Sequence, residues 1–192
     1  MRVVPRVPPL DRPATYADLE SLPDIVVGEI VDGELHASPR PAPRHAQAAS
    51  ALGGRLNPAF SEGDGGPGGW WILNEPELQF GRDVLVPDLA GWRRSRLARL
   101  PDTTFFTLAP DWVCEVLSPS TATLDRAAKL PIYAREAVPF AWLIDPSAKV
   151  LEVLELQTGK WTIAGTYFGT ASVQAVPFEA VAVSLASLFR EE

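Results

Sequence analysis

Two carboxylates lie inside apolar segments of this sequence, where an ionised side chain is costly unless it is paired or binds a cation. Asp88 is part of "VLVPDLAGW" and Glu115 is part of "WVCEVL", and both segments are typical of buried strands. Because alternate residues of a strand face the same side, each carboxylate shares its face with apolar neighbours. Taken singly, Asp88 could simply end a strand and Glu115 could pair with an arginine. Taken together, the two acids predict a cation site.

A second feature follows the Glu115 strand, where Asp125, Lys129 and Tyr133 are spaced four residues apart. Four residues of a helix advance by about 400°, so the three side chains should lie on one helix face. The simplest interpretation is an acid–base pair on a surface helix, worth about 0.3 kcal/mol. However, the helix begins just after Glu115, so its first turns should pass over the end of that strand. Pro131 predicts a kink between Lys129 and Tyr133.

These residue types fit metal-assisted phosphoester hydrolysis. Asp88 and Glu115 can supply the carboxylates that Mg²⁺ or Mn²⁺ prefers, and Lys129 can stabilise negative charge on a phosphate. A bound cation of this kind lowers the pKa of a water molecule and neutralises charge at the scissile phosphate. The sequence therefore favours a phosphodiesterase that uses these three residues. The other hypothesis is a module that binds protein or nucleic acid without cutting it.

The surrounding segments predict one α+β domain over residues 15–192, preceded by an extended, proline-rich arm over residues 1–14. Thr15 is a plausible N-cap of a short first helix, and Asp32-Gly33 is typical of a two-residue hairpin turn. A second helix, several strands, one crossing helix and further strands follow. This order indicates a mixed β-sheet flanked by helices, with additional β-hairpins.

Composition limits the partners and the compartment. The formal net charge is −7, which argues against strong non-specific binding of nucleic acid. Four arginines within "RRSRLAR" are nevertheless candidates for local phosphate contacts, with a solvated loop cluster as the alternative; they are Arg93, Arg94, Arg96 and Arg99. No apolar run approaches the roughly 20 residues of a membrane span. The single cysteine, Cys114, fits a reducing cytoplasm.

Several motifs occur in a characteristic order along the chain: "GEIVDGEL", a histidine at the next helix, "VPDLAGW", "APDWVCEVLSPST", the spaced Asp125, Lys129 and Tyr133, "WLIDP" and "SLASLF". This set, covering about residues 15–190, resembles the Uma-type family of "putative restriction endonucleases", a branch of the PD-(D/E)XK nuclease superfamily. The resemblance implies a restriction-endonuclease-like core with Asp88 and Glu115 as metal ligands. The leading hypothesis is therefore cleavage of DNA, with RNA as the alternative that the sequence leaves open.

The resemblance assigns further roles. In the wider superfamily a lysine stands two residues after the second acid, but Leu117 holds that position here, so the role passes to Lys129. Glu29 could bind the metal directly or through water, or be a solvated hairpin carboxylate. His45 is a candidate substrate contact, with a capping or solvated histidine as the alternative. Asp125 and Tyr133 are supporting residues. Because duplex cleavage involves two strands, a symmetric homodimer is the expected assembly.

Overall fold

The structure is a computed structural model that describes residues 10–190, and its elements form an α+β fold. The helices are α1 (Tyr16–Glu20), α2 (Pro43–Leu56), α3 (Ala122–Leu124), α4 (Leu130–Arg135) and α5 (Leu185–Leu188), with π-helical segments at Asn57–Glu62 and Asp125–Lys129. The strands are β1 (Val26–Val31), β2 (Glu34–Pro39), β3 (Trp70–Asn74), β4 (Glu77–Phe80), β5 (Asp83–Leu85), β6 (Leu89–Arg93), β7 (Phe105–Phe106), β8 (Trp112–Val116), β9 (Phe140–Asp145), β10 (Val150–Gln157), β11 (Lys160–Phe168), β12 (Ser172–Val173) and β13 (Val183–Ser184).

The strands form two main sheets and one small one. The five-stranded sheet has the order β2-β1-β5-β4-β7, the six-stranded sheet has the order β11-β10-β9-β8-β6-β3, and β12 pairs with β13. Each main sheet contains one parallel pair, β4 with β7 and β8 with β9. The helical segment between β8 and β9 is the crossover that a parallel pair requires. The expected fold class, a mixed sheet flanked by helices, is confirmed.

The N-terminal expectations hold where the structure describes them. The backbone N–H of Thr15 donates to the Asp18 carboxylate at 2.8 Å at the start of α1, as in a capping box. Asp32 and Gly33 have φ values of 51° and 82°, as the predicted β1–β2 turn requires. Of the predicted arm, residues 1–9 lie outside the described residues. The division into an arm and one domain stays a prediction.

The segment "VLVPDLAGW" does not form one strand, because the chain changes sheets within it. β5 belongs to the five-stranded sheet and β6 to the six-stranded sheet. Pro87 lies between them and has no N–H to donate to a strand ladder, so pairing stops there. The sequence suggested a single sheet, and the structure instead places Asp88 at the junction of two.

The central strands of the six-stranded sheet are buried on both faces, whereas the edge strand β11 is largely exposed. On one face α2 packs with a cluster of aromatic residues that includes Trp112, Trp142 and Phe178. On the other face α4 and the five-stranded sheet cover β6, β8 and β9. Cys114 faces the first layer, whereas Glu115 faces α4, as expected from the strand alternation. Within residues 10–190, no helix is long and apolar enough to cross a bilayer.

Candidate active site

Six of the predicted site residues line one open cavity of about 260 Å³ at the junction of the two sheets. They are Glu29 on β1, His45 on α2, Asp88 before β6, Glu115 on β8, and Asp125 and Lys129 on the π-helical segment. Four of the six are carboxylates. Separate parts of the chain therefore meet in one acidic cleft.

Lys129 is at the centre of this cluster, with its side chain only 3% exposed. Its Nζ atom is 2.8 Å from Glu115 Oε1, 2.9 Å from Glu29 Oε1 and 3.5 Å from Asp125 Oδ1. Burial by itself would lower the pKa of Lys129, but the negative charges of Glu115 and Glu29 outweigh burial and raise that pKa well above the usual value. The ammonium therefore stays charged in the cleft.

Local helix geometry explains how Lys129 reaches the cleft despite Pro131. The N–H of Leu130 donates to the carbonyl of Asp125, five residues back, which is the hydrogen bond of a π-helix. Pro131 follows at once, in the first turn of α4, where its missing N–H and its ring would disrupt a regular α-helix. The wider π turn accommodates the proline and keeps Asp125 and Lys129 buried.

Glu115 is held on two sides. Its Oε1 atom accepts a hydrogen bond of 2.6 Å from the Tyr133 hydroxyl, in addition to the ion pair with Lys129. Burial raises the pKa of Glu115 well above the usual value, and the positive charge of Lys129 only partly opposes this.

Asp88 is fixed by the backbone of the neighbouring strand. Its Oδ2 atom accepts a hydrogen bond of 2.7 Å from the N–H of Val116, the residue after Glu115, and its Oδ1 atom is 3.4 Å from His45 Nε2. Burial would lower the pKa of His45, but the hydrogen bond and charge of Asp88 raise it overall. Two residues before Asp88, the N–H of Val86 donates to Glu29 at 2.8 Å.

The donor set fits a hard divalent cation held by few protein ligands. Five carboxylates and three basic side chains line the cleft, so it carries excess negative charge that a divalent cation would neutralise. Within residues 10–190, no three Asp, Glu, His or Cys side chains are arranged as a ready metal cluster. Mg²⁺ commonly uses one or two carboxylates and keeps several water ligands, so Asp88 and Glu115 are sufficient in number. Glu29, hydrogen-bonded to Val86 and paired with Lys129, is placed to hold the ammonium.

A family model described as "Putative restriction endonuclease", Uma2, matches residues 13–186. The chain belongs to the Uma2 family. The resemblance drawn from the motifs is confirmed.

Solved structures agree with this assignment at the level of the fold. The Uma2 chain is similar to the crystal structure of a "putative nuclease belonging to DUF820" from Anabaena variabilis, with a TM-score of 0.72 and 23% sequence identity. The match covers 92% of this chain and 98% of that chain. At this identity it shows a shared nuclease-like fold. None of the curated proteins matches the chain by sequence.

The arginine cluster of this Uma2 chain lies away from the cleft. Arg93 ends β6, five residues after Asp88, which is about 16 Å at the usual rise of a strand. The partners are the Trp70 ring for Arg93, the Trp71 ring for Arg94 and the Asp111 carboxylate for Arg96. None of these arginines lines the cavity, as far as residues 10–190 describe it. Their contact with phosphate stays a prediction, at a distance from the candidate metal ligands.

Residues that the sequence reasoning missed lie at the mouth of the Uma2 cleft. Arg40 lines the cavity on one side, and Ser118, Ser120 and Thr121 line it on another. Arg40 belongs to "SPRPAP", which has no periodicity to indicate a face. The available signal was its position, between the Glu29 hairpin and the His45 helix. The hydroxyl residues directly follow the Glu115 strand.

Replacing Tyr133 with phenylalanine is expected to lower the free energy of unfolding by about 1–2 kcal/mol. The change removes the buried hydroxyl that donates to Glu115 and leaves the ring in the core. Chemical denaturation measures the effect. Tyr16→Phe is the matched control, because the Tyr16 hydroxyl donates to Glu77 on the exposed surface, where its loss should cost less than about 0.5 kcal/mol. Equal losses in both variants would contradict the importance of the buried hydrogen bond.

Proposed function

We propose that this Uma2 protein is an endonuclease that hydrolyses phosphodiester bonds of DNA with the help of Mg²⁺ or Mn²⁺. The observation that carries the proposal is the buried Lys129 ammonium, held within 3 Å of Glu115 and Glu29 in a cleft that Asp88 also lines. A surface ion pair would not need such burial, and a structural core would not be open to solvent. The family description as restriction endonucleases supports the same reaction class.

In this proposal Asp88 and Glu115 hold the cation, which would neutralise charge on the scissile phosphate and lower the pKa of a water molecule. Lys129 places a fixed positive charge beside the reacting phosphate, where it stabilises the negative charge that develops during hydrolysis. Glu29 and Asp125 keep that ammonium charged and in position. Tyr133 orients the Glu115 carboxylate.

The open, charged cleft also favours an enzyme over the alternative, a non-catalytic binding module. A module that had lost catalysis could fill the space between the former ligands with apolar side chains. Here the predicted acids and the lysine line a shared cavity and face one another. Duplex cleavage by a two-fold pair of chains, and a cytoplasmic location, stay predictions.

The test is cleavage of plasmid DNA and of DNA oligonucleotides by the purified chain with Mg²⁺ or Mn²⁺, with EDTA as the control. We expect nicks or cuts that require the cation. Calorimetric titration of each metal into the protein, without DNA, should show binding that the Asp88→Asn change weakens. DNA that stays intact under every metal condition would refute the proposed function.

A further inference from the structure

The basic residues lining the cleft differ sharply in their availability to a ligand. Lys129 is buried and shared among carboxylates, and His45 pairs with Asp88. Arg40 is the third basic residue recorded in the lining, and its side chain is 58% exposed. An incoming phosphate would therefore meet Arg40 before the buried lysine.

Two contacts hold the Arg40 side chain in place, but they use only some of its N–H donors. Its Nη2 atom donates to the backbone carbonyl of Asp24 at 3.1 Å, and its Nη1 atom is 3.8 Å from Glu75 Oε2. The contact with Glu75 is an exposed ion pair, and such pairs contribute little to the stability of the folded state. A guanidinium has five N–H donors, so donors remain for a phosphate oxygen.

A neighbouring cavity limits where an anion can bind. Arg40 lies on the wall between the cleft and a second cavity of about 510 Å³. Four carboxylates line this second cavity; they are Glu20, Asp24, Glu75 and Glu77. Glu75 also lines the cleft, but there Lys129 and His45 offset part of the negative charge, whereas Arg40 is the one basic residue in the described lining of the second cavity. Because like charges repel, a phosphate on the second-cavity side of Arg40 is disfavoured.

The side of Arg40 that faces the cleft also offers neutral hydrogen-bonding groups. Ser118, Ser120 and Thr121 line the same cavity, and the Ser118 hydroxyl lies 2.9 Å from that of Ser120 and 3.0 Å from that of Thr121. Hydroxyl groups can rotate to donate to a phosphate oxygen and add no negative charge.

From this arrangement we propose that Arg40 and the Ser118–Thr121 hydroxyls bind a backbone phosphate of the DNA strand in the cleft, next to the phosphate that is cut. The assignment rests on the proposed function. Arg40 is then a positioning residue that sets the strand's register over Lys129 and leaves the chemical step to the buried cluster. It also gives an acidic protein a local anchor for an anionic strand, since the net charge is −7.

The experiment compares the wild-type chain with Arg40→Ala, Arg40→Lys and Arg82→Ala. Arg82 is the charge-matched control, because it is exposed in the turn between β4 and β5 and is absent from the recorded lining of both cavities. Binding of a short fluorescein-labelled DNA, single-stranded and duplex, is measured by anisotropy in EDTA over a series of salt concentrations. Cleavage of the same DNA is measured with Mg²⁺ or Mn²⁺.

We expect Arg40→Ala to weaken DNA binding about five- to tenfold and to lower the slope of log K against log salt by about one. Its KM should rise by a similar factor, while kcat stays within about twofold. Arg40→Lys should restore the salt slope but only part of the affinity, because an ammonium cannot bind a phosphate through two parallel hydrogen bonds. Arg82→Ala should match the wild type in each measurement.

The two proposals can fail separately. If the wild type cuts DNA but Arg40→Ala behaves like Arg82→Ala, the assignment of Arg40 is wrong and the proposed function stands. If kcat collapses in Arg40→Ala with KM unchanged, a positioning role is also wrong. If the wild type never cuts DNA but Arg40→Ala alone lowers the salt slope, the phosphate contact stands and the proposed function fails. A wild-type chain that binds no DNA overturns the assignment.

Discussion

Replacing Asp88 with asparagine is expected to reduce DNA cleavage by at least about 10³-fold while the protein stays folded. The amide oxygen can still accept the hydrogen bond from the Val116 N–H, so the link between the loop and β8 is retained. What is lost is one negative charge and a ligand for the cation. Initial rates of plasmid nicking measure cleavage, and calorimetric titration with Mg²⁺ measures the affinity for the cation. The cleavage rate and the affinity should decrease together.

Asp102→Asn is the matched control for this change, because Asp102 is exposed and outside the cleft. It removes the same charge and should leave cleavage, metal binding and stability as in the wild type. An Asp88→Asn protein that cuts at the wild-type rate would remove Asp88 from the catalytic set. A protein that binds metal normally but does not cut would argue against Asp88 as a ligand.

The Lys129→Met change should destabilise the fold by about 3–5 kcal/mol at neutral pH and abolish cleavage. Methionine fills a similar volume but leaves Glu115 and Glu29 buried without the ammonium that now lies within 3 Å of both. Denaturant unfolding at several pH values measures the loss. Lys160→Met, on the exposed end of β11, is the control and should change stability by less than about 0.5 kcal/mol.

The destabilisation caused by Lys129→Met should increase as the pH rises. Burial already raises the pKa values of Glu115 and Asp125 in the folded wild type, and loss of the lysine charge raises them further. A carboxyl whose folded pKa is raised adds stability below its unfolded pKa of about 4, and that stability is lost as the pH rises through the folded value. The variant should therefore be closest to the wild type near pH 4 and furthest from it near pH 8. The opposite trend would contradict the cluster described above.

Local patterns in the sequence were enough to predict that Glu115 and Lys129, which line one cleft in the structure, belong together. Glu115 stood out because a carboxylate interrupted an apolar strand, and Lys129 stood out because helix spacing aligned it with Asp125 and Tyr133. That alignment depends on a few adjacent residues, so it could be predicted without knowledge of the tertiary structure. Pro131 suggested a disruptive kink, but sequence spacing does not reveal that a π turn can absorb it.

Features that depend on long-range packing were harder to predict. The arginine cluster looked close to Asp88 in sequence, but an extended strand separates Arg93 from Asp88 by most of its length. Arg40 gave no sequence signal beyond its position between the Glu29 hairpin and the His45 helix, because its proposed role depends on two cavities that meet only in the folded chain. Likewise, Pro87 indicated a break in pairing but not that β5 and β6 join different sheets.

The stretch from Val86 to Asp88 links the two sheets, so the cleft depends on both of them. One end of the stretch bonds to Glu29 on the five-stranded sheet, and the other bonds to β8 of the six-stranded sheet. The candidate ligands and the lysine partners therefore come together only after the two sheets have docked. A newly made chain that has formed either sheet alone has no complete cleft, so the proposed cleavage requires the fully folded chain.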